Sequence, residues 1–177
     1  MSTVEDAIRT KRAVRQFTDQ PLPDEVVRAI LNAGRRAQSS KNTQPWSFVA
    51  VRDRETLKKL SECGTYAGHL AGAALGVALV ARQEPANPDA AERQGWIMFD
   101  LGQAAAYMQL AAWELGVGSC IATIYEPEKA KAILGAPDDM RCDVALSFGY
   151  PAASEQRAAA RPGGRVPYDE VVHNDRW

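Results

Sequence analysis

Apolar positions along the chain change period repeatedly, and each change marks a predicted element. Thr3 and Asp6 read as a capping pair that opens a short helix through Ala7 and Ile8 to about Thr10. Leu22-Pro23-Asp24-Glu25 begins a second helix, with proline and acids in the turn where the helix dipole favours them. Val26, Ile30 and Ala33 share one face of it. Residues 46–51 (Trp-Ser-Phe-Val-Ala-Val) read as a strand, and residues 54–63 as an amphipathic helix with Leu57 and Leu60 inward. Residues 64–76 are rich in glycine and alanine and show no readable period. Residues 75–81 form a mostly apolar run of strand length, the pattern of a sheet centre covered on both faces.

The longest helical pattern runs over residues 96–115, where Gly102, Ala104, Ala105 and Ala106 sit among Phe99, Leu101, Tyr107, Met108, Leu110 and Trp113. A helix apolar over most of its circumference belongs in a core, with room for a subunit contact at one end. Gly116-Val117-Gly118-Ser119 ends it and leads into a strand over 120–124. A short helix over 127–134 closes at Gly135, and a strand over 143–148 stops at Gly149-Tyr150-Pro151. The remaining residues contain Pro162, Gly163, Gly164 and Pro167 and read as an extended arm. Strands alternating with helices place the chain in the α/β or α+β class, as one domain over 1–177. Neither a G-x-G-x-x-G nor a G-x-x-x-x-G-K-[ST] pattern occurs, and Gly116-Val117-Gly118 enters a strand instead of a helix, which weakens Rossmann and ATPase readings.

Composition removes several function classes. The formal net charge of −1 offers no field for nucleic acid or an anionic membrane. Cys63, Cys120 and Cys142 are an odd number at wide spacings, without a C-x-x-C or Cys/His metal pattern, so reduced thiols are expected. An acidic start and no apolar stretch long enough to span a bilayer complete the expectation of a soluble, cytoplasmic protein.

Two stretches stand out for chemistry. Residues 37–46 crowd Gln38, Ser39, Ser40, Lys41, Asn42, Thr43 and Gln44 into a helix-to-strand junction, which is either a solvated turn or a polar lip for a ligand. Lys11-Arg12-Ala13-Val14-Arg15 places three cations in five residues, either a solvated basic turn or a phosphate site. Lys41, Arg82 and Arg93 are cations that a 2′-phosphate could meet, though none sits in a diagnostic pattern. His69 and His173 are read as packing or surface residues.

Taken in order, Lys11-Arg12-Ala13-Val14-Arg15-Gln16-Phe17, Ser39-Ser40-Lys41-Asn42-Thr43-Gln44-Pro45-Trp46, Leu115-Gly116-Val117-Gly118-Ser119, Ser147-Phe148-Gly149-Tyr150-Pro151 and the tail 171–177 resemble the FMN-dependent nitroreductase family over nearly the whole chain. The resemblance implies an α+β sandwich with a central, mostly antiparallel sheet flanked by helices, and a C-terminal arm exchanged across a homodimer. It implies FMN at the subunit interface, NAD(P)H as donor, and ping-pong transfer to a small electrophilic acceptor such as a nitroaromatic or quinone. By motif position, Lys11 and Arg12 hold the phosphate, with Ala13 beside them and Arg165 returning as a second phosphate ligand. Arg15 approaches the N1/O2 edge of the flavin, where reduction leaves negative charge. Ser39, Ser40 and Asn42 reach the flavin from the other subunit, and the backbone of Thr123 and Ile124 lies against N5.

The sequence departs from the family pattern in places. Lys11-Arg12-Ala13 stands where Arg-Arg-Ser is usual, Gln38 where proline is common, and Ile121-Ala122-Thr123-Ile124-Tyr125 where Pro-x-x-Gly-Phe is usual. The insertion that forms a lid in longer members is short here. The same scaffold also accommodates dehalogenation, flavin fragmentation, azoline-type oxidation or flavin storage with little turnover, and an anion-binding regulator is the rival outside flavin chemistry.

Overall fold

The second strand organises the molecule. In a computed structural model that describes residues 4–84, 88–156 and 164–177, β2 (Leu75–Arg82) is buried at every position but its last. Side chains alternate across a pleated strand, so Leu75, Val77, Leu79 and Ala81 enter one core while Ala78 and Val80 enter another. The first core is completed by α2 (Asp24–Arg35) and α4 (Ala90–Glu114), the second by α3 (Arg54–Ser61) and α5 (Pro127–Leu134). The result is an α+β sandwich with the sheet in the middle, as the run 75–81 predicts.

The sheet has the order β1-β2-β4-β3, with β1 (Trp46–Val51), β3 (Gly118–Thr123) and β4 (Met140–Gly149), and every neighbouring pair is antiparallel. β4 inserts between β2 and β3, which leaves β1 and β3 as the two edges. Both β3 and β4 begin earlier than the apolar pattern indicates, because Gly118, Met140 and Arg141 pair in the ladder without belonging to an apolar run. Among the described residues no helix is long and apolar enough to cross a membrane.

Several expectations need correction. On α2 the inward positions are Val27, Ile30 and Gly34, with Val26 and Ala33 only half-buried. Gly34 decides this rotation, since a Cβ there would lie 2.2 Å from Met108 Cε of α4. Helix α4 starts at Ala90, because Ala90, Ala91, Glu92, Arg93 and Gln94 favour helix without adding apolar period. It buries Leu101, Ala104, Ala105, Met108 and Ala112, but Trp96 and Phe99 stay 55% and 62% exposed, so it is a core helix on one face only. The C-terminal segment is less extended than expected, with helical turns α6 (Ala153–Gln156) and α7 (Tyr168–Val171). Thr3, Pro162 and Gly163 lie outside the described residues.

The unreadable stretch 64–76 packs through Ala67, Leu70 and Ala73 around a single 3-10 turn, Gly68–Leu70. That turn buries His69, whose Nδ1 lies 2.7 Å from Ser147 Oγ and whose Nε2 lies 3.2 Å from the Ile121 carbonyl. A carbonyl only accepts, so Nε2–H donates to Ile121 and the Ser147 hydroxyl donates to Nδ1. Both cysteine neighbours in this core, Cys63 and Cys142, are free and buried, and burial pushes the Cys142 thiol up to about 12.

Two outcomes follow from this packing. A Cβ on Gly64 would lie 2.1 Å from the Thr123 carbonyl oxygen, a backbone atom that cannot swing aside. Gly64→Ala is therefore expected to lower unfolding free energy by about 1–3 kcal/mol in urea titration. Burial holds His69 below its ordinary value near 6.5, the Ile121 carbonyl opposes that shift, and the Arg15 charge reinforces it. The unfolded chain then takes up the proton first as pH falls, so this contribution is complete above the ordinary value and is lost on acidification through the folded value. Urea midpoints measured at about pH 7.5 and about pH 5.5 should differ more for wild type than for His69→Gln.

Candidate cofactor site at the outer edge of the sheet

An edge strand leaves outward N–H and C=O groups that something must satisfy. The Ile124 N–H donates to the Asp143 carbonyl of β4 at 2.9 Å, so by the antiparallel alternation residues 123, 121 and 119 direct their backbone groups outward. The outward Ser119 carbonyl accepts from the Val14 N–H at 2.9 Å, and the outward Ile121 carbonyl accepts from His69. Thr123 completes the series with its N–H facing away from β4, and its side chain and that of Ile121 are exposed. Ile124, by contrast, is buried with its N–H spent inside the sheet, so of the two backbone positions expected at N5 only Thr123 has an outward donor.

The basic segment is a strap laid along this edge. After α1 (Val4–Thr10), the Lys11 N–H closes on Ala7 O at 2.9 Å, Ala13 bridges Ser119 in parallel, and Phe17 bridges Pro151. Val14 is fully buried against Gly118, where a Cβ would lie 2.7 Å from the valine. Pinning alternate residues in this way turns neighbouring side chains outward. Lys11 is half-buried, and burial pulls its ammonium below its ordinary value, with Cys120 opposing and the like charge of Arg165 adding to the shift. Burial raises the Cys120 thiol, while the charges of Arg15 and Lys11 pull it back.

Arg12 behaves differently from its neighbours. Its guanidinium donates to the Glu155 main-chain carbonyl and lies 5.8 Å over the Trp113 ring, and Trp113 Nε1–H donates to Thr10 Oγ1 at 2.9 Å. Arg12 therefore ties the strap to α4 and α6, a role that a run of cations in sequence does not reveal.

The polar lip lies elsewhere. Ser40–Asn42 form a 3-10 turn, and Lys41, Asn42 and Gln44 have φ of 51°, 57° and 48°, conformations that non-glycine residues adopt only when held. The Gln44 N–H donates to Ser39 Oγ at 2.9 Å, and the Ser40 N–H donates to Asp100 Oδ2 at 3.0 Å. Asp100 is only 3% exposed. It is the lip's anchor that sequence reasoning missed, and its signal was a carboxylate in the middle of the apolar pattern 96–115. The lip borders a hollow of ≈ 680 Å³ with Trp46, Arg82, Arg93 and Trp96. Arg93 is already held by Glu84 at 2.6 Å and Arg82 by Asp139 at 3.4 Å, so neither is a free cation for a 2′-phosphate.

Strap and lip do not meet within one chain. Asp100 and Trp113 mark their positions on α4, and at 1.5 Å rise per residue these are about 20 Å apart. Lys11, Arg12, Ala13 and Arg15 lie on the strap bridged to Ser119, Thr123 lies about 13 Å further along β3 from Ser119, and Ser39, Ser40 and Asn42 lie beside the opposite edge.

Comparisons with known proteins agree with this fold. The model of the nitroreductase family matches residues 8–65 and 61–150. A candidate NADH dehydrogenase/NAD(P)H nitroreductase of Archaeoglobus fulgidus is 32% identical over 176 residues, covering 96% of each chain. An NADH dehydrogenase of Thermus thermophilus is 27% identical over 191 residues, covering 92% of this chain and 91% of its own. The solved FMN-dependent nitroreductase of Clostridium difficile superposes with a TM-score of 0.81 at 27% identity, over 97% of this chain and 99% of that one. The extent of the family match and the near full-length identity establish that this chain belongs to the nitroreductase family.

Proposed function

We propose that the chain is an FMN-dependent NAD(P)H oxidoreductase, acting as one FMN-binding domain over residues 1–177 in a cytoplasmic homodimer. The observation that carries this reading is the basic strap pinned along β3 by the Ala13–Ser119 bridge and by the Val14 N–H on the Ser119 carbonyl, which holds Lys11, Arg12 and Arg15 together at the start of that strand. The half-buried Lys11 ammonium is penalised by lost hydration, and the like charge of Arg165 adds to that penalty. A phosphomonoester relieves both penalties, which fits these residues to the FMN phosphate. The relatives named as NAD(P)H nitroreductase and as FMN-dependent nitroreductase support the same cofactors.

When bound, FMN would supply two-electron exchange in two half-reactions, receiving from NAD(P)H and passing to an electrophile such as a nitroaromatic or quinone. The chain's own residues divide the remaining work. Lys11 and Arg165 hold the phosphate, and Arg12 braces the strap while lending charge. Arg15 is the fixed cation at the pyrimidine edge, where it stabilises charge that develops on reduction. Thr123 offers the outward main-chain N–H at the far end of β3. Ser39, Ser40 and Asn42 complete the site from a second copy, because their own strap lies about 20 Å away along α4. The exposed Trp96 and Phe99 of α4, together with Val166, Tyr168 and Val171 of the C-terminal arm, provide apolar surface for such a dimer.

Purified protein should show a flavin absorbance spectrum that bleaches anaerobically with NADH or NADPH and recovers when a quinone or nitroaromatic is added. Bound flavin that neither nucleotide bleaches would instead identify a storage protein or a specialised flavin chemistry. The shared site has its own test. Arg15→Ala and Asn42→Ala should each be strongly impaired, and mixing them under subunit exchange should restore about a quarter of wild-type activity, from the one intact site in each heterodimer. No recovery on mixing would place both residues in the same chain's site.

A further inference from the structure

The Glu155 carboxylate has no place in the site so far, yet the strap is organised around it. Its Oε1 accepts from the Arg15 N–H at 2.8 Å and from the Gln16 N–H at 3.2 Å. Its main-chain carbonyl accepts from Arg12, the Gln16 carbonyl accepts from the Ala152 N–H at 3.0 Å, and the Ser154 hydroxyl donates to Gln16 Oε1 at 2.7 Å. On either side the strap is held by main chain, Val14 on Ser119 and Thr18 on Tyr150. Between those points the strap's N–H groups at Arg15 and Gln16 are held by one carboxylate. Those two bonds seat the carboxylate on the segment that carries Arg12 and Arg15, so an anion stands among the strap's cations.

The geometry points to Glu155 as a positioning residue: its carboxylate fixes the backbone from which Arg15 reaches the flavin, and its charge tempers the cationic field there. This rests on the FMN reading above. Two jobs are combined in one side chain, and two substitutions separate them. Glu155→Gln keeps the oxygen acceptor and removes the charge, whereas Glu155→Ala removes both.

The experiment measures FMN dissociation by flavin fluorescence and the two-electron midpoint potential of the bound flavin, for wild type, E155Q, E155A and the control S154A. E155A should weaken FMN binding about tenfold, as expected for losing charge-assisted hydrogen bonds. E155Q should bind FMN within about threefold of wild type and favour the reduced over the oxidised flavin by about tenfold more, which is about 30 mV upward for a two-electron couple. S154A should change neither quantity. An unmoved potential in E155Q with FMN bound overturns the proposal and leaves the FMN assignment intact. Wild-type protein that binds no FMN overturns both. E155Q decides the matter even where E155A fails to fold.

Discussion

The outer edge of β3 is the constraint on which the site depends. A strand at the edge of an antiparallel sheet presents backbone groups outward at every second residue, and leaving them bare is unfavourable when they are buried. Here they are satisfied one after another by different means. The strap supplies Val14 to Ser119, and a buried histidine supplies its Nε2–H to Ile121. At Thr123 the carbonyl packs against Gly64, while the N–H faces away from β4 beside an exposed side chain. The same edge therefore positions the strap's cations at one end and turns the Thr123 N–H outward at the other.

Helix α4 sets the second dimension of the site. Its buried face fills the core over β2, and two polar contacts at separate turns fasten the functional loops, Asp100 to the lip and Trp113 to the end of α1. Because a helix is stiff and its rise is constant, the distance between these contacts cannot close by local adjustment. The shared site proposed above, with the lip of a second copy facing the strap of the first, fits this spacing. The exposed aromatic residues on α4 agree with that arrangement, since such apolar surface is otherwise unfavourable in water.

Much of this was legible in the sequence. The apolar run 75–81 identified the central strand because a strand covered on both faces has no polar positions to interrupt it. Gly135 marked the end of α5, where a left-handed φ of 63° is required. The start of α4 was not legible, because the helix formers at Ala90–Gln94 have no core to face and so no period. The inward face of α2 was misplaced for a related reason: Gly34 contributes nothing to a hydrophobic pattern, yet it is where α4 comes closest.

The sequence by itself determined the principal helices and strands, the central strand, two stretches crowded with polar and basic side chains, and by resemblance the family. These are local properties, written in spacing and side-chain chemistry within a few residues. Only the tertiary structure decided that β4 inserts beside β3, that Arg12 braces α4 and α6, that Ile124 spends its N–H within the sheet, and that Glu155 reaches the strap from the far end of the chain. Each of these joins residues distant in sequence, and which of them meet depends on the order in which strands enter the sheet, a choice that local periodicity does not encode.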